Sequence, residues 1–114
     1  MNTTLIGQKY EKLALYHLKK QKYKILTTNF LCPAGEIDVI AYDKSTKYIV
    51  FVEVKYRSSG KFGRPIEAVT DEKIRKIRIA SQVYLKFKGW QEKPFRYDII
   101  EIFDEDVRHI VNAF

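Results

Sequence analysis

Apolar positions in this chain fall into two periods. Ile6, Tyr10, Leu13, Ala14, His17 and Leu18 recur at steps of three and four, the spacing of one helix face. Asn2, Thr3 and Thr4 offer N-cap oxygens just before that stripe, so a helix is expected to run to about Lys20. Residues 23–30 read as a strand, and residues 36–57 as two apolar strands around a polar turn. Thr70 caps a second helix, with Asp71 and Glu72 at the positive end of its dipole. Ile74, Ile77, Ala80, Tyr84 and Phe87 would be its buried face, and Gly89 its stop. Residues 95–103 and 107–111 supply two more strands. The order α-β-β-β-α-β-β predicts an α/β fold, one mixed sheet with helices packed on it.

One part of this pattern breaks its own rule. The strands within residues 36–57 are the most apolar of the chain, yet they carry Asp38, Glu53 and Lys55. Charged side chains are rarely buried unless they are paired or bind metal. If Lys44 to Lys47 form the turn, Asp43 lies opposite Tyr48; stepping inward places Asp38 against Glu53 and Glu36 against Lys55. Glu53 and Lys55 then share a face with Ile49, Phe51 and Arg57, because strand side chains repeat every two residues. Tyr48, Val50, Val52, Val54 and Tyr56 point the other way, as a plain hydrophobic stripe.

The remaining composition narrows the setting. With 114 residues, 46% hydrophobic and 31% charged, the chain fits a single domain spanning residues 1–114. No apolar run is long enough for a membrane, and the start MNTTLIGQKY lacks a signal-peptide layout, so a cytoplasmic location is expected. The single Cys32, in the turn 31–35, allows neither an internal disulfide nor a thiolate metal site and reads as a small packed residue. His17 on the apolar face reads as a satisfied core histidine. The net charge of +7 is concentrated: residues 55–88 hold ten Lys and Arg against three Asp and Glu. A basic surface immediately after an acidic cluster suits a polyanion laid across it, although a merely solubilising face would have the same composition.

Two facing carboxylates repel unless a cation sits between them. Mg²⁺ takes carboxylate oxygens, keeps several waters and shares substrate phosphate, and Mn²⁺ can replace it. Asp38 and Glu53 fit that role, with the backbone carbonyl of Val54 as a further ligand. Lys55 would then orient the attacking water or stabilise charge on the phosphate. Metal-assisted hydrolysis of a phosphodiester is the chemistry these parts allow together. The alternative is a cross-strand ladder of charges that only pair with one another. Glu67, Asp98 and Glu101 read as structural acids, and no spacing supports a nucleophilic triad or a phosphate loop.

Gly7 and Glu11, then Gly35-Glu36-Ile37-Asp38, then Phe51-Val52-Glu53-Val54-Lys55-Tyr56-Arg57 form a pattern that resembles the PD-(D/E)XK nuclease superfamily. More narrowly it resembles the small bacterial YraN family, whose members are similar to archaeal Holliday-junction resolvases. The likeness continues through Gly60-Lys61-Phe62-Gly63, Glu67-Ala68-Val69, Lys73, Phe95-Arg96-Tyr97-Asp98 and Asn112-Ala113-Phe114. It implies a restriction-endonuclease-like mixed sheet, metal acids at Asp38 and Glu53, a catalytic lysine at Lys55, and a helix-borne acid at Glu11. The residue before Asp38 is Ile37, where the motif name has proline.

The resemblance and the charge pattern together imply a Mg²⁺-dependent endonuclease acting on branched or structured DNA. Arg57, Lys61, Arg64, Lys73, Arg75 and Lys76 would contact phosphates. The resolvase likeness also implies a homodimer. The alternatives are a nucleic-acid adaptor that keeps the fold without turnover, and an interaction protein that uses its hydrophobic strands.

Overall fold

The computed structural model describes residues 5–57 and 69–114. Lys61, Arg64 and Glu67, with the rest of the glycine-punctuated segment 58–65, lie outside the described residues.

Helix α1 (Leu5–Lys20) carries His17, Lys19 and Lys20 in its last turn, where cations meet the negative end of the dipole. It closes when Lys22 adopts φ 69°, and the chain turns into strand β1 (Tyr23–Cys32). Strands β2 (Gly35–Asp43) and β3 (Tyr48–Arg57) follow as a hairpin. Its turn is the expected four residues, with Asp43 paired to Tyr48. The Asp43 carboxylate fixes it by accepting from the Ser45 N–H and the Thr46 hydroxyl, both at 2.9 Å.

Helix α2 (Asp71–Lys88) begins where the Thr70 hydroxyl accepts from the Lys73 N–H at 3.1 Å. It ends on Gly89 in the left-handed conformation, with the Trp90 N–H returning to the Leu85 carbonyl. Strands β4 (Phe95–Phe103) and β5 (Asp106–Ile110) complete the chain. The sheet order is β1-β2-β3-β4-β5; only β3 and β4 run parallel, and α2 is their crossover. The fold is therefore the α/β mixed sheet that the element order predicts.

The central strands are covered on both faces. Ala14 and Leu18 of α1 bury Val39, Ala41, Val50, Val52, Ile100 and Ile102. Ile77, Ala80, Tyr84 and Leu85 of α2 bury Ile37, Ile40, Ile49, Phe51 and Ile99 on the other side. The expected α2 stripe needs one correction: Phe87 is 78% exposed, and Leu85 is buried in its place. The sheet contacts the helix along the line through Ile77, Ser81, Tyr84 and Leu85, and Phe87 falls outside that arc at 3.6 residues per turn. The placing of Cys32 in the turn is a second correction, since it is the last residue of β1 and pairs with Gly35; it does pack against the α2-side core, as the sequence suggests.

At the turn end of the sheet, Arg96 is 8% exposed and reaches Asp43, Asp98, Thr46 and the Tyr23 hydroxyl. His109 bonds Asp98 on one side and His17 on the other. Despite its burial, hydrogen bonds from His109 and Arg96 hold Asp98 below the usual carboxylate range. This network ties α1, β1, β2, β4 and β5 together at one end. The charged strand segment lies at the other.

Candidate active site

The site begins with an irregularity that two strands share. Ile37 packs in the α2-side core and Val39 in the α1-side core, although residues two apart in a regular strand share a face. The alternation of β2 therefore breaks at Asp38. In β1, Asn29 occupies the corresponding gap between the pairs Thr28–Val39 and Phe30–Ile37, with φ 53°. Asparagine is one of the few residues that tolerate this conformation. Gly35 contributes through close approach: a Cβ there would lie 3.3 Å from Lys76 Cβ, so α2 can settle over the start of β2.

Released from the ladder, the Asp38 carboxylate reaches β3 and accepts the Val54 N–H at 2.8 Å. The hydrogen-bonded pairing of β2 with β3 ends at Val39–Val52. The register is the one counted from the sequence, and Asp38 and Glu53 occupy the first rung beyond it. The N–H and C=O of one strand residue project to the same edge, so the Val54 carbonyl also faces the Asp38 side. The expected opposition of Glu36 and Lys55 does not form as a rung, because the pairing of β2 with β3 stops at Val39–Val52; Glu36 pairs only on its other edge, with Leu31 of β1.

Glu53 is 4% exposed, on the α2 side of β3. Its Oε2 lies 3.6 Å from Lys73 Nζ, whereas its Oε1 is buried without a hydrogen-bond partner. Burial first, and then the like charge of Asp38, push the Glu53 carboxyl up to about 8, against the opposing pull of Lys73 and Lys55. The α2 side of the strand end therefore gathers Asp38, Glu53, Lys55 and Lys73. While Glu53 holds its proton the two carboxyls hydrogen-bond to one another; once Glu53 ionises, its oxygen and the Asp38 carboxylate face each other with no donor between them, and a divalent cation satisfies both at once.

The other predicted residues are distributed around this pair. Glu11 stands apart from it: Asn29 Nδ2 donates to Glu11 Oε1 at 3.2 Å, so Glu11 joins the irregularity from the α1 side. Among the described residues no group of three or more His, Cys, Asp or Glu side chains converges as a metal cage. Arg57 donates from Nε to Glu101 at 2.6 Å and keeps a buried Nη2 without a partner. Glu101 also receives Arg108; despite burial, these two arginines hold its carboxyl below the usual range. Arg75 bonds Glu72 at 2.8 Å and Lys76 lies 3.8 Å from it, all three exposed. Asp98 and Glu101 are structural acids, as their sequence positions suggested. Asn29 and the partnership of Lys73 with Glu53 are the additions that sequence reasoning missed. An asparagine, a residue depleted in strands, in the middle of β1 was the available signal for the first.

Fold and site define a small α/β protein whose sheet splays at one end around the buried Glu53 and the half-buried Asp38, flanked by lysines. Residues 10–102 match the family described as uncharacterised protein family UPF0102. The chain is 45% identical to a UPF0102 protein of Caldanaerobacter subterraneus, over all of this chain and 98% of that one. It is 43% identical to one of Thermodesulfovibrio yellowstonii, over 96% and 95% of the two chains. The chain belongs to the UPF0102 family, the YraN family of the sequence resemblance. No helix among the described residues is long and apolar enough to cross a membrane.

Proposed function

We propose that this protein is a metal-dependent endonuclease that hydrolyses phosphodiester bonds in branched or otherwise structured DNA. The observation that carries the reading is the close facing of the buried Glu53 carboxyl and Asp38, which leaves Glu53 Oε1 without a donor when both are ionised. Asp38, Glu53 and the Val54 carbonyl would hold Mg²⁺, with Mn²⁺ as a substitute. Bound there, the cation supplies an activated water and neutralises charge on the scissile phosphate.

The chain's own groups do the rest. The Val54 N–H fixes the Asp38 carboxylate, which leaves its second oxygen for the cation. Lys55, close enough to stabilise the Glu53 carboxylate, orients the nucleophilic water and meets the charge that develops on phosphate. Glu11, aligned by Asn29, accepts a proton through water at the α1 edge of the site. Arg57, with a quarter of its side chain exposed, and the exposed Arg75 and Lys76 would meet phosphate oxygens, with Lys61 and Arg64 as the further basic residues of the sequence. A cytoplasmic homodimer matches two-fold symmetric junctions.

One observation favours the adaptor reading. Lys73 stands within ion-pair distance of Glu53, and an internal cation can replace a metal in neutralising the acid. Incubating the pure protein with four-way junction, single-stranded and duplex DNA in Mg²⁺ or Mn²⁺ separates the two. The nuclease reading expects cleavage that EDTA and Asp38→Ala both abolish. Salt-sensitive binding without cleavage, unchanged in Asp38→Ala, would leave the adaptor.

A further inference from the structure

Tyr10 and Tyr56 form an aromatic stack on the side of the sheet opposite the acids. Their ring centroids are 4.1 Å apart and their planes 22° from parallel. Tyr10 is half-buried, directly before Glu11 in α1, and Tyr56 stands between Lys55 and Arg57 in β3. A stack of this kind covers one ring face of each partner, and Tyr56 remains 43% exposed. The stack thus leaves aromatic surface open to water beside a strand end, where a further flat ring can lie against it. The surroundings are mixed in charge: Lys9 Nζ sits 5.9 Å from the Tyr10 centroid and Lys9 and Lys12 line one groove along α1, while Asp104, after the end of β4, is close enough to act on the Tyr10 hydroxyl.

We infer that the open face of Tyr56, backed by Tyr10, is a stacking platform for an unpaired nucleobase of the DNA bound at the acid pair. The inference rests on the nuclease reading and specifies its substrate class: DNA with at least one unstacked base next to the scissile phosphate. The alternation of β3 carries it. Lys55 and Tyr56 are adjacent, about 3.3 Å apart along the strand, and point to opposite faces. A polynucleotide crossing the strand end can therefore present a phosphate to Lys55 on one side and a base to Tyr56 on the other. Bases in a duplex are stacked on their neighbours and have no free face, so only an unpaired base gains from the platform. Lys9 and Lys12 would take the phosphates that follow it.

The test is binding in EDTA, where no cleavage occurs, of an oligothymidylate and of a short blunt duplex. Tyr56→Leu keeps Tyr10 covered and removes the aromatic face. It should weaken oligothymidylate binding about tenfold and leave duplex binding within about twofold, while Tyr56→Phe binds like the parent. Tyr56→Trp adds a second tryptophan to Trp90 and should show emission quenched on oligothymidylate addition beyond that of the parent. Equal loss on both probes, or no loss, overturns the platform, as does an unquenched Tyr56→Trp if Tyr56→Leu fails to fold. If the parent cuts DNA and these variants behave as it does, only the platform falls; if the parent binds neither probe and cuts no four-way junction, single-stranded or duplex DNA in Mg²⁺ or Mn²⁺, the nuclease reading falls with it.

Discussion

Lys73 Nζ lies 3.6 Å from Glu53 Oε2, and this pair joins the first turn of α2 to the buried acid of β3. The lysine is 41% exposed at its side chain while the glutamate is 4% exposed, so one end of the contact is wet and the other dry. Exposed ion pairs contribute little to stability, but a buried carboxylate responds strongly to a nearby cation. Lys73 lowers the affinity of Glu53 for a proton. Lys73→Met should therefore move the Glu53 carboxyl further up from about 8, read by carboxyl carbon NMR titration. A Glu53 that titrates unchanged would show that the two groups do not sense one another.

Stability should depend on pH through Glu53 in a definite direction. Its folded value is raised to about 8 from an ordinary 4.5. The native state thus holds a proton that the unfolded chain releases. The associated stability is fully present below pH 4.5 and is lost as pH rises through about 8. Glu53→Gln removes the ionisation, so it should match the parent near pH 4 and exceed it at pH 9, by up to about 5 kcal/mol. Denaturant unfolding at the two pH values checks this. A variant less stable than its parent at pH 9 would contradict it.

The bond from Val54 to Asp38 separates charge from shape. Asp38→Asn keeps an acceptor for the Val54 N–H and removes the negative charge. It should lose cleavage, keep most of its stability, and let the Glu53 carboxyl fall, since the like charge is gone. Asp38→Ala also strands the Val54 N–H and should cost about 1–3 kcal/mol. Equal stability of the two variants would show that the bond does not pin the site.

The Arg96 network should report on the fold alone. Arg96→Met leaves Asp98 and Asp43 without their shared cation in a buried setting, at an expected cost of about 3–5 kcal/mol. Because it sits at the turn end of the sheet, the Glu53 titration should be unchanged in a variant that still folds. A displaced Glu53 would mean that the two ends are coupled.

Much of this arrangement was legible in the sequence because it rests on local rules. The four-residue turn set the β2–β3 register, and Thr70 and Gly89 bounded α2 by cap chemistry. What was hidden depends on tertiary contact. The helical period of α2 admits both Phe87 and Leu85, and only the position of the sheet selects Leu85. The paired break at Asn29 and Asp38 arises between two strands, so neither strand's own alternation announces it. Lys73 reads as one surface cation among many until α2 is seen to start beside Glu53. The identity of the acid pair was readable, whereas its supporting contacts were not.

The central claim is that Asp38 and Glu53 hold a divalent cation. Calorimetric titration of Mn²⁺ at pH 8 into the parent, Asp38→Asn and Glu53→Gln tests it most directly. Saturable binding in the parent, lost in both variants, is the predicted result. Binding that survives either substitution, or no saturable binding in the parent, would contradict it.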